Sequence, residues 1–409
     1  MNVSIAILGL ALLILVHEAG HFFTARAVGM SPRRFYLGFP PALVKVKRSG
    51  IEYGIGAIPL GGYVKIPGMH RPAPSDLDVH LARARHEAPE LGGVIERIKR
   101  LVSEGEMAEA RARLTELERA VRDAELSPAA AKAAERGLTE LRDALGPDAY
   151  WRQRTWRKVA VIFAGPGTNL VFAILLIAVV YMVGVPSEAS RQVDRVDANS
   201  PAQAAGLRPD DVIVAVNGER AQDFDELSQL IRGSKGKPIR VTVKRGNRVV
   251  VLEPEATKLS SDGRWVFGFR PDVVYKRYGP LESLELSVRE SWRVTEAIGG
   301  SLGRIVTGEG RDEISSPVGI VDASSQVIDE GGIRLYLRIL AFISLSLAIL
   351  NLLPLLPLDG GHIAFSLVEG LRGRAVGREI YERVSVVGIA LVLILFFVGL
   401  SNDIGGGVD

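Results

Sequence analysis

Residues 3–28 read VSIAILGLALLILVHEAGHFFTARAV, an apolar run interrupted by His17, Glu18 and His21. About 20 predominantly apolar residues are enough for a helix to cross a bilayer. The run lacks the basic start and the small-residue cleavage site of a signal peptide, so we expect a retained membrane helix. Ionisable side chains are costly inside a membrane, and those that occur there are usually functional.

The spacing of the two histidines predicts a metal site. Residues i and i+4 of a helix lie on one face, so His17 and His21 can bind a single ion. Glu18 is displaced around the helix, where it can reach a water molecule at the ion without being a ligand. The chain has six histidines and no cysteine, which excludes thiolate ligands, a cysteine nucleophile and disulfides. Imidazole ligands favour Zn²⁺, although these residue types also accept iron or cobalt.

Three further apolar runs indicate four membrane-spanning helices in total. They cover residues 159–185, 335–358 and 386–400. Arginine and lysine are concentrated after the first run, before the second, and between the third and the fourth. The positive-inside rule places these segments in the cytoplasm, and both termini and residues 186–334 outside it. The histidines of the first helix then lie towards the cytoplasmic side of the membrane.

The composition agrees with apolar runs joined by soluble segments. Hydrophobic residues make up 47% of the 409 residues and charged residues 24%, and the mean hydropathy is +0.18. Lysine and arginine number 50 against 47 aspartates and glutamates, a net charge of +3. Such a balance argues against a protein that coats nucleic acid, and we expect no nucleic-acid partner.

The segments between the runs predict separate soluble portions. Residues 33–68 alternate and turn like a β-hairpin near Ser49. Residues 76–147 have helical spacing and predict two or three amphipathic helices, with helix starts at Ser103 and Ser127. The expected order is a first membrane helix (1–30), a membrane-associated β-hairpin (33–68), a cytoplasmic helical insertion (76–147), a second membrane helix (159–185), an extracytoplasmic PDZ-like α+β domain (188–274), a helical connector (281–332), a third membrane segment (335–358), a cytoplasmic loop (359–385) and a fourth membrane helix (386–400).

A catalytic metal site needs a third protein ligand and an open position for water. Residues 351–362 read NLLPLLPLDGGH, in which Pro354 and Pro357 interrupt the helix. Irregular backbone at membrane depth is tolerated where it lines a cavity. Asp359 therefore becomes the candidate third ligand, level with the histidines of the first helix. His362 is either a hydrogen-bonding residue behind the ligands or an interfacial residue.

These motifs together resemble the site-2 protease family of intramembrane zinc metalloproteases. The resemblance covers most of the chain in family order and is greatest to bacterial members that cleave anti-sigma factors, namely the regulator-of-sigma-E proteases and the single-PDZ actinobacterial forms. The helical insertion is a departure without a known family role. The matching motifs are HExGH at 17–21, PLGGYVKI at 59–66, AGPxxN at 164–169, the PDZ-like segment at 200–219 and NLLPxxPLDGG at 351–361.

The resemblance implies a polytopic α-helical membrane protease with one Zn²⁺ per chain. It implies that the zinc ligands are His17, His21 and Asp359, and that Glu18 is the general base. It further implies that Asn351 engages the substrate backbone and that the hairpin is a re-entrant β element. A sheet edge there could accept an extended substrate as an added strand. Further candidate residues are Gly61, Gly62 and Tyr63 for substrate binding, and His362 and Asn169 behind the ligands.

The leading hypothesis is an intramembrane zinc endopeptidase that cleaves single-span membrane proteins, such as anti-sigma factors or signal-peptide remnants. A membrane-anchored PDZ adaptor with a structural metal site is a second hypothesis, and a metal or proton transporter is a third. Glu18 argues against the adaptor, because a structural site needs no general base. Four spans without an inverted repeat argue against the transporter. The PDZ-like domain could bind a peptide or act as a steric filter, and Asp210 stands where a glycine is usual in its signature.

Overall fold

The computed structural model describes residues 2–260, 263–307, 316–374, 376 and 378–405. Four expected segments therefore extend beyond the described residues in part: the first membrane helix at residue 1, the PDZ-like domain at 261–262, the connector at 308–315 and the cytoplasmic loop at 375 and 377. The chain divides into two compact units. One comprises Met1–Ile177 with Ser287–Asp409, and the other comprises Ala178–Leu286.

Within the described residues, four helices are long and apolar enough to cross a membrane, as the sequence predicts. They lie in α1 (Asn2–Ala27), α6 (Thr155–Val183), the second part of α10 (Pro317–Asn351) and α12 (Arg378–Gly405). A non-helical residue, Gly332, divides α10, and the candidate span is Gly332–Asn351.

Two predicted span boundaries were wrong for identifiable reasons. The third span ends at Asn351 rather than at 358, because the chain turns through the segment that contains both prolines before α11 (Asp359–Arg372) begins. The fourth span, Ile380–Asp403, is longer than the predicted 386–400, because the helix continues through the polar residues at its two ends.

Glycines allow α1 to pack closely against its two neighbours. A Cβ atom on Gly9 would lie 1.8 Å from the hydroxyl oxygen of Tyr336 on α10, and this hydroxyl donates a 2.9 Å hydrogen bond to the carbonyl of Ile5. A Cβ atom on Gly20 would lie 2.3 Å from the carbonyl oxygen of Ala164 on α6. The position of α1 between α6 and α10 is therefore fixed by backbone proximity as well as by apolar packing.

The predicted hairpin consists of β1 (Arg34–Arg48) and β2 (Ile51–Lys65), joined at Ser49 and Gly50. Both strands bend, so that each contributes two separate segments to the sheet. Residues 34–37 pair with 62–65 on one side and with 52–55 on the other, while 44–48 pair with 51–55. Residues 62–65 therefore form an outer edge, and no other described strand pairs with β2 there.

The insertion contains four helices rather than two or three: α2 (Pro74–Glu87), α3 (Gly92–Glu104), α4 (Met107–Asp123) and α5 (Pro128–Ala144). We call them the α2–α5 bundle. Ser127 caps α5 as predicted by accepting a hydrogen bond from the N–H of Ala130. Ser103 instead lies in the last turn of α3, where its hydroxyl bonds back to the carbonyl of Arg100. The bundle has its own apolar core, which includes Leu77, Leu81, Ile95, Ile98, Leu117 and Leu141.

The second unit contains a sheet of six strands and two helices, α7 (Pro201–Ala204) and α8 (Phe224–Gly233). Asp210 adopts a φ of 68°, the left-handed conformation that glycine favours. The buried Asp211 pairs with Arg245 at 2.7 Å. Burial raises the pKa of Asp211, but hydrogen bonds from Arg245 and from the N–H of Arg208 outweigh it and leave the pKa below its ordinary value. The strands of the six-stranded sheet are β3 (Val185–Val196), β4 (Val212–Val216), β5 (Glu219–Arg220), β7 (Val241–Arg245), β8 (Arg248–Val251) and β12 (Phe269–Lys276). Their order in the sheet is β12-β3-β4-β7-β8, and β5 pairs with β4. Two further pairs of short strands are β6 (Pro238–Ile239) with β9 (Glu255–Ala256), and β10 (Lys258–Leu259) with β11 (Trp265–Val266).

Helix α9 (Pro280–Val306) occupies the described part of the expected connector before α10. Its buried Glu290 pairs with Arg338 of α10 at 2.6 Å. An ion pair with one buried partner is costly to break, since the remaining charge is left uncompensated. This pair therefore holds α9 against the part of α10 that leads to Asn351.

Candidate metal centre

The three predicted ligands come together although they lie far apart in sequence. On α1, Nε2 of His17 lies 3.2 Å from Nε2 of His21. Asp359 is the first residue of α11, and its Oδ2 lies 3.1 Å from the first of these nitrogens and 3.4 Å from the second. The three atoms form a nearly equilateral triangle, as helical spacing and the broken α10–α11 junction predict.

The dimensions of this triangle fit zinc. Zinc–nitrogen and zinc–oxygen distances of about 2.0–2.1 Å in a tetrahedral site place neighbouring ligand atoms about 3.3 Å apart. Nδ1 of His21 lies 2.8 Å from the carbonyl oxygen of Val161, which can only accept, so Nδ1 carries a proton and Nε2 is the nitrogen available to a metal ion. Oδ2 of Asp359, 3.4 Å from this nitrogen, is buried without a hydrogen-bond partner among the described residues, as expected for an atom that binds an ion.

Asn169 on α6 lies behind the other histidine. Its side-chain amide is 3.5 Å from Nδ1 of His17, and Asn169 is fully buried. Its Oδ1 atom has no hydrogen-bond partner among the described residues. Because the amide can present either its oxygen or its nitrogen, rotating it would satisfy Oδ1 with a proton on Nδ1 of His17. The position is that of the predicted residue behind the ligands.

Gly165 on α6 lies directly against the two imidazoles, which the sequence motif only partly predicted. A Cβ atom on it would lie 2.3 Å from Nε2 of His21 and 2.8 Å from Nε2 of His17. The AGPGTN run predicts that another element packs closely here. That element is α1, which contacts Gly165 through the two imidazoles. The carbonyl of Val161 carried no sequence signal, since every residue has one.

The glycines after Asp359 explain how α11 begins so close to the end of α10. A Cβ atom on Gly360 would lie 2.2 Å from the carbonyl oxygen of Leu352, and one on Gly361 would lie 2.6 Å from the backbone of Leu355. Only residues without side chains allow the turn to fold against α11 in this way. The turn thereby places the carboxylate of Asp359 beside the two histidines.

The hairpin approaches Glu18 at its outer edge. A Cβ atom on Gly62 would lie 2.8 Å from Cγ of Glu18, and the backbone of Val64 hydrogen-bonds to the Glu18 carboxylate. Tyr63 stacks on Tyr36, with 5.2 Å between ring centroids. Gly61 packs away from Glu18, since a Cβ atom there would lie 2.9 Å from the ring of Phe39. Of the three hairpin residues predicted to bind substrate, Gly62 is thus the one held directly against Glu18.

Two cavities meet at the candidate metal centre. The larger, of about 740 Å³, contains the three ligands, Glu18 and several polar side chains. The smaller, of about 400 Å³, is mostly apolar and is lined by α1, the hairpin, α10 and α12. Asn351 at the end of α10 lines both cavities, as do His17, Glu18 and Gly62. The centre therefore lies where the two cavities meet, and the larger of them has more polar side chains in its lining.

His362 lies in the larger cavity, but its contact is with α12 rather than with a ligand. Its Nδ1 atom pairs with the hydroxyl of Tyr381, whose ring also contacts His70 with 4.5 Å between centroids. Burial lowers the pKa of His362 to about 4. The imidazole is therefore neutral near pH 7, and its observed partner ties α11 to α12.

Comparison with known proteins agrees with this geometry. The profile of peptidase family M50 matches residues 5–395. The chain belongs to peptidase family M50, the site-2 protease family. Zinc metalloprotease RasP of Bacillus licheniformis is 30% identical to this M50 protease, over 99% of both chains. The regulator of sigma-W protease RasP of Bacillus subtilis is 29% identical over 96% of this chain and 95% of its own length, and zinc metalloprotease RasP of Geobacillus kaustophilus is 28% identical over 96% and 95%.

Family membership establishes the class of enzyme and the cofactor. This M50 protein is a zinc metalloprotease, and its four apolar helices make it a multi-pass membrane protein. The adaptor and transporter hypotheses do not agree with that assignment. The triangle formed by His17, His21 and Asp359 fits the cofactor of the family.

Proposed function

We propose that the protein hydrolyses peptide bonds of single-span membrane proteins within the bilayer, with His17, His21 and Asp359 as its zinc ligands. The observation that carries the proposal is the triangle of three ligand atoms beside Glu18, in which both histidines and Glu18 belong to a helix apolar enough to cross a membrane. Zinc bound by these residues supplies a Lewis acid that polarises a carbonyl group and acidifies water.

Glu18 has the position of a general base. It precedes the second histidine by three residues, and its carboxylate lines both cavities. In the proposed reaction the carboxylate accepts a proton from the attacking water and transfers it to the nitrogen of the departing amine. The carbon–oxygen bond forms before the carbon–nitrogen bond breaks; the electron pair of the broken bond goes to the amine nitrogen, and the second proton of the water remains on the new carboxyl group.

The outer edge of the hairpin is proposed to hold the substrate. A helical substrate must be unwound before cleavage, because its amides are engaged in i→i−4 hydrogen bonds. An extended segment can add to the edge at 62–65, and the missing side chain at Gly62 allows it to approach Glu18. The side-chain amide of Asn351, which lines both cavities, can hydrogen-bond the substrate backbone or its developing oxyanion.

The proposed substrates are anti-sigma factors or remnants of signal peptides in a bacterial inner membrane. The name of the Bacillus subtilis relative, regulator of sigma-W protease, supports the first class. The basic cytoplasmic segments support an orientation with both termini outside and the metal centre towards the cytoplasm. The unit Ala178–Leu286 is proposed to be an outer PDZ-like domain, which restricts substrate access either by binding a peptide or by its bulk.

The deciding experiment reconstitutes the purified protein with a single-span substrate in lipid vesicles. We expect the wild type to cleave the substrate within its membrane segment, and Glu18→Gln to lose cleavage while it retains one zinc per chain. His21→Ala and Asp359→Ala should lose zinc as well. Cleavage by Glu18→Gln at the wild-type rate would exclude the proposed base, and unchanged zinc affinity in both ligand variants would exclude the ligand set.

A further inference from the structure

The α2–α5 bundle forms one wall of the catalytic cavity. The larger cavity, which contains the candidate ligands and Glu18, is lined on its other side by residues of α2 and α5. The sequence motifs predict no role for this segment, which they indicate only as an insertion. The lining residues from the bundle are Asp76, His80, Glu140, Leu141, Asp143 and Ala144.

The bundle is fixed to the rest of the site. Nε of Arg33, which precedes β1, donates to Asp143 at 2.7 Å. The indole N–H of Trp151 donates to the carbonyl of Ala144 at 2.7 Å, and its backbone N–H donates to Gly68 at 3.0 Å. A Cβ atom on Gly68 would lie 2.6 Å from Cβ of Ala149. These contacts join the C-terminal end of α5 and the turn that follows it to the residues on either side of the hairpin, so the bundle is held in place as a wall of the cavity.

The carboxylates of this wall differ in their burial and in their hydrogen-bond and ion-pair partners. Asp143 is buried and bonded to Arg33, with Lys65 at 3.8 Å. The buried Asp76 accepts the N–H of Ala73 at 2.8 Å. Glu140 is more accessible, with 54% of its side chain exposed, and its ion-pair partner His80, at 3.1 Å, is charged only when protonated. Glu140 is therefore the carboxylate best placed to meet a positive charge that enters the cavity.

A substrate added to the hairpin edge would bring its next residues to this wall. Lys65, the last residue of the edge, and Ile66 and Gly68, which follow it, line the same cavity. On the cytoplasmic side of a membrane protein, the residues next to the membrane helix are enriched in lysine and arginine. The positive charge of such a flank is complementary to the partly exposed carboxylate of Glu140.

We infer that Glu140 is a specificity-determining residue of the protease: it binds a lysine or arginine in the cytoplasmic flank of the substrate, beside the membrane segment that is cleaved. The inference rests on the proposed function. An exposed ion pair contributes about 0.2–1 kcal/mol, which corresponds to roughly a 1.4-fold to fivefold change in affinity. Reversing the charge replaces an attraction by a repulsion, so the effect of Glu140→Lys should lie near the upper end of that range.

The test uses the full-length protein in lipid vesicles and three single-span substrates that differ only in a basic, neutral or acidic cytoplasmic flank. We expect Glu140→Lys to raise KM for the basic substrate about fivefold, to leave kcat unchanged, and to change KM little for the neutral one. The acidic substrate should be cleaved better by Glu140→Lys than by the wild type. Glu140→Gln should show the same order of effects with a smaller amplitude.

Glu135→Lys is the matched control, because Glu135 lies on the same helix, is exposed, and is not among the residues that line the cavity. It should leave all three KM values unchanged. Equal effects of Glu135→Lys and Glu140→Lys, or an equal loss on all three substrates, would overturn the inference while leaving the proposed function intact. If the wild type cleaved none of the substrates, the proposed function would fail and the inference with it.

Discussion

Replacing Gly165 by alanine tests the geometry of the metal centre without touching a ligand. The new Cβ atom would lie 2.3 Å from Nε2 of His21 and 2.8 Å from Nε2 of His17, whereas ordinary van der Waals contact begins at 3.4 Å. At least one imidazole, or α6 itself, must therefore move by about 1 Å. A displacement of that size at a catalytic centre can lower the rate about a hundredfold.

Helix propensity predicts the opposite effect on stability. Alanine is favoured over glycine inside a helix by about 0.5–1 kcal/mol. Gly167→Ala is the matched control, because it lies two residues further along α6 and its Cβ atom would meet only the ring of Phe163 at 3.2 Å. We expect Gly167→Ala to retain zinc and activity. Gly165→Ala should lose about 10- to 100-fold in zinc affinity, in the range seen when residues that position metal ligands are changed.

The measurements are zinc affinity by competition with a chelator, and kcat/KM on a single-span substrate. Both are needed, because a fall in kcat/KM alone could reflect a change in substrate binding. If Gly165→Ala bound zinc as tightly as Gly167→Ala and cleaved substrate at the same rate, the imidazoles could not face α6 as described. The three-ligand geometry would then have to be abandoned.

Three other substitutions test separate parts of the molecule. Gly62→Ala should lower kcat about tenfold or more, because its Cβ atom would lie 2.8 Å from Cγ of Glu18 and displace that side chain. The zinc content should be unchanged, so kcat and bound zinc are measured on the same preparation. Asn169→Leu should weaken zinc binding about tenfold by leaving His17 without its amide neighbour, and normal affinity in a chelator competition would contradict that role. Asp211→Asn should lower the unfolding temperature of the second unit, since it leaves the paired arginine without its buried carboxylate. The pKa of Asp211 is lower in the folded state than its ordinary value of 3.8. The contribution of Asp211 to the free energy of unfolding is therefore complete above pH 3.8, and it is lost as the pH falls through the pKa of the folded state. The difference between wild type and variant should therefore vanish in acid; a constant difference down to pH 2 would contradict the linkage.

The sequence was most informative where a local pattern had a geometric meaning. Spacing alone put His17 and His21 on one helix face, and the two prolines before Asp359 predicted the break that brings it to them. The hairpin turn at Ser49 followed from alternation and turn residues. In each case the residues that decide the structure are close together in the chain.

The sequence was less informative about contacts between distant segments. Nothing near Ser103 indicated that its hydroxyl would bond back within α3, because Ser-x-x-Glu is also the pattern of a helix start. The hydrogen bond from His21 to the carbonyl of Val161 depends on backbone, which every residue supplies. The proximity of Glu140 to the catalytic cavity depends on how a whole bundle docks, and no local motif encodes that.

The order of the ligands along the chain has a consequence for biosynthesis. Two of the three lie at residues 17 and 21, and the third lies at residue 359 of 409. A ribosome therefore inserts the first membrane helix long before it makes the carboxylate that completes the triangle. Until residue 359 has been made, the growing polypeptide carries the two candidate imidazole ligands and Glu18 but lacks the third candidate ligand, so the triangle can form only after the first membrane helix has been made.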